Sequence, residues 1–273
     1  MKHPTTGIVI PVFNQLYFTK QCLASLIPTI EKKVRVVVIN NGSSDETQAY
    51  LETVEGIEVI HNEQNLGCAP AWNQGVKHLA TEWTVILNND TLLTEGWLQG
   101  LLRAAEQERL GIVSPAMREG EFNYDLVEYA KDYLEKMATF HRLQFAHGVC
   151  FMVRRSTFEQ IGYFDEGFKI ATYEDTDFWR RANQAGIRIA ITGAAFIHHF
   201  GFGTQSLHRR QGKPPHEIDN QAYFRKKWKI GWLKRKLERR KRLKQTQAYI
   251  KNELAATGHS LNEQWLENML KYR

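Results

Sequence analysis

The chain has 273 residues, 42% of them hydrophobic, with three cysteines and a formal net charge of +6. That length supports one large α/β core, or one core with an appendage, and no run approaches the roughly 18 apolar residues that would span a bilayer. The charge is unevenly spread. Residues 225–244 carry twelve Lys/Arg and one Glu, a net of +11, and residues 245–273 balance, which leaves the first 224 residues at −5. Cys22, Cys68 and Cys150 are far apart, odd in number and form no CxxC pair, so neither a zinc knuckle nor a disulfide framework is expected. The opening MKHPTTGIVIPVFN has neither the charged n-region nor the cleavage site of a signal peptide. A reducing cytoplasm is the expected setting.

In chain order, Ile8-Val9-Ile10 reads as a strand running into Pro11, and a helical pattern follows from about Leu16 to Leu26. Val34–Ile39 is a second strand, ending at Asn40-Asn41-Gly42, after which Ser44 or Asp45 can cap a helix. Residues 57–60 form a third strand, 66–80 a loop and helix, and Trp83–Leu87 a fourth strand. This β-α alternation predicts an α/β fold with a Rossmann-like, mostly parallel sheet flanked by helices. Strands are also expected over 147–153 and 187–197, with a helix opened by Glu174-Asp175 between them. Arg118–Phe140 has no readable pattern. Gly212 and Pro214-Pro215 mark a linker, residues 216–255 read as one or two helices, and Leu261–Leu270 as a short amphipathic helix. The expected domains are 1–208 and a helical basic extension, 209–273.

In an open α/β sheet, ligands sit outside the carboxyl ends of the strands. The residues there are Pro11/Phe13/Asn14, Asn40/Asn41 and Asn88/Asn89/Asp90. Turn chemistry accounts for any one group, whereas three on one rim point to a ligand. GxxxxGK[ST] and GxGxxG are both absent, which argues against a P-loop and a dinucleotide dehydrogenase. A diphosphate bound without a glycine cradle calls for a divalent cation, and a strand-tip carboxylate such as Asp90 suits Mg²⁺ or Mn²⁺.

Seven stretches resemble family 2 glycosyltransferases of the GT-A fold, in that family's order: IVIPVFN, VVVINNGSSDET, NEQNLGCAPAWNQGV, VILNNDT, HGVCFMVRRSTFEQIGYFDEGF, YEDTDFWRRANQAGIRI and IHHFG. The resemblance covers about residues 6–205. It implies inverting transfer of a sugar from a nucleotide-diphosphate sugar (UDP, dTDP or GDP) to a hydroxyl of a glycan or lipid-linked glycan. It places Pro11, Phe13 and Asn14 at the nucleobase, with Asn40 and Asn41 where the family often has an acid. Asn65, Gly67 and Asn73 fall near the ribose and diphosphate. Asn88-Asn89-Asp90 matches the DxD motif with an amide in first place, and Thr91 can cap the following helix. Glu174-Asp175 matches the ED motif that supplies the general base, assigned to Asp175 with Glu174 in support. His198-His199 matches a metal- or diphosphate-binding histidine, with His199 favoured because Gly201 follows it.

Bland readings accompany several residues. Acids in a first helical turn favour the helix dipole, Asp177 and Arg180 can form an i, i+3 pair, and Trp72, Trp83, Trp97 and Trp179 read as packing. Gly148 admits the acceptor or simply packs. In the basic stretch, Phe224, Trp228 and Trp232 are spaced by four. They either pack on the catalytic domain or help 225–244 lie on an anionic membrane; nucleic acid is not the favoured partner. Two other functions compete with the leading one. A sugar-phosphate nucleotidylyltransferase needs a Gly/Arg-rich loop where PVFNQ stands. A catalytically weak sugar-nucleotide-binding protein is consistent with the amides Asn40 and Asn88 but not with the retention of Asp90, Asp175 and His199.

Overall fold

The structure is a computed structural model that describes residues 5–201, 214–266 and 269–272. β1 (Thr6–Val12), β2 (Arg35–Asn41), β3 (Glu58–Asn62) and β4 (Trp83–Leu87) pair in parallel in the order β4-β1-β2-β3. β1, β2 and β4 are mostly apolar and β-branched, as strands covered on both faces must be, while the edge strand β3 carries Glu58, His61 and Asn62 and is only partly buried. Alternate side chains point to opposite faces. Ile8, Ile10, Val36, Val38 and Val85 face α1 (Leu16–Leu26) and α4 (Trp97–Gln107). Val9, Val37, Ile39 and Ile86 face α3 (Cys68–Leu79). At Gly75 α3 lies so close to the sheet that a Cβ would stand 2.3 Å from Val9 Cγ1. Each buried Val or Ile contributes about 1.5–3 kcal/mol.

Beyond β4 the sheet becomes mixed. β8 (Cys150–Arg154) runs antiparallel between β4 and β6 (Ile112–Gly120). β9 (Ile189–His199) lies parallel to β6 and antiparallel to β5 (Thr91–Leu93) and β7 (His141–Leu143). Its register shifts where Pro115 pairs Thr192 but Ala116 pairs Phe196. The residues looped out there are held from both sides: a Cβ on Gly100 of α4 would meet Ala194 O at 1.9 Å, and one on Gly193 would meet Met137 O at 2.1 Å.

Several local expectations change in the folded chain. The patternless 118–140 stretch contains α5 (Leu126–Met137), whose N-cap Asp125 accepts from the Val127 and Glu128 amides. Thr91 caps nothing; it belongs to β5, and its hydroxyl donates to Asn88 O. Asp177 pairs with Arg181, not Arg180, because i, i+4 brings the guanidinium onto the carboxylate at 2.9 Å, while Arg180 turns to Glu238. α6 (Arg155–Ile161) and α7 (Glu174–Gln184) complete this half.

The expected linker residues 209–213 and the boundary at 208 lie outside the described residues. From Pro215 the chain forms α8 (Pro215–Lys227) and α9 (Trp232–Thr257). Phe224 is buried and Trp228 donates to Asp177 Oδ1, but Trp232 is 63% exposed, so two of the three spaced aromatics pack. Among the described residues no helix is long and apolar enough to cross a membrane. The helix expected over 261–270 is instead two strands, β10 (Asn262–Leu266) and β11 (Met269–Tyr272). The leucine spacing suggests a helix, but the open edge of β6 offers unpaired backbone groups, and β10 takes them in parallel register from Asn262↔Met117 to Trp265↔Gly120.

A buried ion pair fastens this segment. Arg142 of β7 donates to Glu253 of α9 at 3.1 and 2.6 Å, both side chains are 3% exposed or less, and Glu253 also accepts from Ser260 Oγ and the Leu261 amide. Glu253→Ala leaves a guanidinium in the core without its carboxylate and is expected to cost about 3–5 kcal/mol. Urea unfolding of the purified chain measures this, and a loss below about 1 kcal/mol contradicts a buried pair that fastens the segment.

Candidate active site

The rim of the parallel sheet is built from amides that bind one another. Asn14, with φ 54°, accepts the Ser44 amide at 2.7 Å on its side chain and donates its own N–H to Ser43 Oγ. Asn40 contacts His61 Nδ1 at 3.0 Å and accepts the Ser43 amide. Asn41 is fully committed: it donates to Asn65 Oδ1 and Gly67 O and accepts from Asn62 Nδ2 and the Leu66 amide. Asn65 in turn accepts the Gly67 amide. Pro11 and Phe13 are half-buried on the same rim. Asn73, buried in α3, points elsewhere: it brackets Phe164 through that residue's N–H and carbonyl and donates to Glu166.

At the tip of β4, the Asn88 backbone N–H donates to Val149 O, and the Asn89 side chain donates to Thr19 Oγ1. Asp90 follows, largely buried, where the β5–β9 pairing sets Thr91 opposite His199. His199 Nε2 stands 3.3 Å from Asp90 Oδ2, and His199 Nδ1 stands 3.6 Å from Glu119 Oε2. Burial alone would depress the imidazolium, but the Asp90 and Glu119 carboxylates outweigh it and raise His199 to about 10. Gly201, with φ 66°, is required next to it, since a Cβ would lie 2.9 Å from Glu119 Cγ. His198 does not join this group. Successive strand residues face opposite ways, and His198 is enclosed with Phe122, Tyr124 and Phe200, Nδ1 at 3.0 Å from Tyr124 Oη. Burial pushes it down to about 3.

The second carboxylate group opens α7. Asp175 Oδ1 accepts from the Thr176 amide at 2.6 Å and its hydroxyl at 3.2 Å. Oδ2 faces Gly148, where a Cβ would stand 2.6 Å away, so Gly148 makes room for this carboxylate. Burial raises the Asp175 carboxyl despite the Thr176 bonds and the Arg242 charge. Glu174 is held well above the usual carboxylate range by burial and then by Asp175, and its Oε2 has no hydrogen-bond partner. His147, adjacent to the Gly148 that faces Asp175, is pushed down to about 4 by burial, with smaller effects from the His199 and Glu119 charges.

The approach to Asp175 is strained. Ile170, Thr172 and Tyr173 have φ of 56°, 85° and 72°, and such a value is an outlier for β-branched Ile and Thr. Two neighbours hold the loop. The Cys68 amide donates to Ile170 O at 2.6 Å, and Asn220 of α8, almost wholly buried, accepts from the Lys169 amide while donating to the carbonyls of Lys169, Ala171 and Thr172. Sequence reasoning missed Glu119, His147 and Asn220. Glu119 carried a signal, an acid at a strand's carboxyl end; Asn220 carried none, being 45 residues from the acid it positions.

A divalent cation suits the donor set at Asp90. One carboxylate oxygen and one imidazole nitrogen converge there, and among the described residues no group of three or more His, Cys, Asp or Glu forms a complete cage. That fits an ion whose remaining ligands are substrate phosphates and water.

Comparison with known proteins identifies the family and the fold. Residues 7–162 match the model of glycosyl transferase family 2. The pre-mycofactocin glycosyltransferase of Mycobacterium tuberculosis is 26% identical over 208 residues, covering 72% of this chain and 43% of that protein; the chain thus spans less than half of that relative. The N-acetylglucosaminyl-diphospho-decaprenol L-rhamnosyltransferase of the same organism is 27% identical over 241 residues, covering 72% and 78%. Among solved structures, GalNAc-T7 with UDP, GalNAc and Mn²⁺ superposes with a TM-score of 0.60 at 18% identity, over 73% of this chain and 44% of that one. Staphylococcus aureus TarS 1–349 in complex with UDP gives 0.58 at 17%, over 72% and 60%. The mixed sheet is therefore a GT-A fold, and the chain belongs to glycosyl transferase family 2.

Proposed function

We propose that the chain moves a sugar from a nucleotide-diphosphate sugar to a hydroxyl of a glycan or lipid-linked glycan, by a single inverting displacement that depends on a divalent cation. The observation that supports this reading is the meeting of Asp90 with His199 where β4 and β9 end, with the buried Glu174-Asp175 pair as the separate candidate for the base. Asp90 and His199 would hold Mn²⁺ or Mg²⁺, with the ion taking the place of the imidazolium proton that Asp90 and Glu119 favour in its absence, and the imidazole favours Mn²⁺; when bound, the ion would supply charge neutralisation for the departing diphosphate. Asp175 accepts the acceptor proton at Oδ2, since Oδ1 is occupied by Thr176. Its raised carboxyl makes it a stronger base than an exposed aspartate, and burial, with the neighbouring Asp175, raises the Glu174 carboxyl as well. On the donor rim, Pro11, Phe13, Asn14 and Asn40 line the base. Asn41 shapes that rim through the Asn65–Gly67 loop, because its own hydrogen-bonding groups are spent. Asn73 acts on the 164–166 loop.

Peripheral attachment at the inner face of a membrane accords with α9. Trp232, Leu233 and Leu237 are 63–66% exposed amid lysines and arginines, the pattern of a helix that lies in an anionic interface.

Three outcomes test these statements. Asp90→Ala is expected to weaken Mn²⁺-dependent donor binding by about 100-fold or more, read by calorimetry; unchanged affinity with metal present moves the cation elsewhere. Asp175→Asn should retain donor binding and lose about 10²–10⁴-fold in turnover, and near-normal turnover assigns the base to another group. In sedimentation with phosphatidylglycerol vesicles, the chain is expected in the pellet and the Trp232→Ala/Leu237→Glu variant in the supernatant. A wild-type chain that stays in the supernatant ends the membrane reading.

A further inference from the structure

α9 carries Arg235, Glu238, Arg239 and Arg242 at i, i+3, i+4 and i+7, one stripe of its surface. That stripe lines a groove against α7 and α8. Two cavities, of about 330 and 380 Å³, share Thr176, Arg180, Phe224 and Arg242 in their linings. The first adds Arg225, Arg235 and Arg239, so five guanidinium groups reach one space. Glu238 is the single carboxylate in the described lining, and Arg180 engages it at 3.0 and 3.3 Å. Phe224 and Ile230 supply an apolar wall, and the Tyr173 hydroxyl accepts from Gln221 at the edge.

Gathering like charges costs free energy unless something opposes them. Planar guanidinium forks match the oxygens of phosphate in charge and geometry. The groove also adjoins the base. Thr176 lines both cavities and binds Asp175 through its amide and hydroxyl, and Arg242 acts on the Asp175 carboxylate. An acceptor whose hydroxyl lies at Asp175 therefore has this groove within reach of its next groups.

We propose that the groove between α7 and α9 seats a phosphate or diphosphate carried by the acceptor, held by Arg235, Arg239 and Arg242. This rests on the reading of Asp175 as the base on the acceptor side, and it adds the acceptor's chemical class. The phosphate can belong to a lipid diphosphate or to a phosphorylated sugar.

The test is calorimetric titration of the full chain, in EDTA so that the cation site is silent, with pyrophosphate, glucose 1-phosphate and farnesyl diphosphate. Saturable binding is expected. Arg239→Glu/Arg242→Glu should weaken it by about tenfold or more, and Arg239→Gln/Arg242→Gln should also weaken it, whereas Arg240→Glu/Lys244→Glu, on the same helix but off the groove, should change it by less than about twofold. Tighter binding of farnesyl diphosphate identifies a lipid source, and equal binding of glucose 1-phosphate a phosphorylated sugar. Equal losses in the groove and off-groove variants indicate diffuse attraction to a basic helix and overturn the proposal, as does the absence of saturable binding. Donor titration with Mn²⁺ in the same variants separates the two readings. Intact donor binding without groove binding sinks only this inference, while no donor binding in the wild type sinks the functional reading.

Discussion

His199 meets Asp90 because β9 is gripped along both edges. Its last residues pair with β6 on one side and β5 on the other, which sets Glu119 and Thr91 beside the same imidazole. One strand can serve both only if it changes register, and the loop-out after Thr192 provides that change. Gly100 and Gly193 are the condition for it, since any side chain there would strike backbone carbonyls. The site thus depends on a packing detail one turn below it.

The second carboxylate depends on a different constraint. Asp175 follows three non-glycine residues in left-handed conformation, a geometry each would abandon if left alone. Asn220 satisfies the loop's carbonyls and Gly67 lets α3 come close to Ile170, so elements on either side hold the strain. C-terminal segments therefore support both groups of residues. α8 secures the loop before Asp175, and Gln264 of β10 donates to Glu119, which stands beside His199. The arginine stripe of α9 extends the same surface away from the base.

The legibility of this chain followed the range of the physics involved. The first four strands, α1 and α3 were readable because apolar runs and turn residues act over a few positions. Asp90 stood out as an acid at the end of a buried strand, and Glu174-Asp175 as acids opening a helix. The strands over 261–272 were misread because a leucine spacing that suits a helix was overridden by the unpaired edge of β6. In the sequence His199 is favoured over His198 only through the Gly201 that follows it, and the pleat, which sends the two to opposite faces, supplies the physical reason.

By itself the sequence determined the α/β alternation, the rim of amides, the strand-tip acid and the separate basic stretch, each encoded by neighbours along the chain. Only the tertiary structure decided that Asn41 spends its hydrogen bonds within the scaffold, that Glu119 and Asn220 serve the site, and that five arginines face one groove. Asn41 bonds residues 21 to 26 positions away, Asn220 reaches Thr172 at 48 and Glu119 stands beside His199 at 80, and such pairings arise from strand register and helix docking, which no local pattern records.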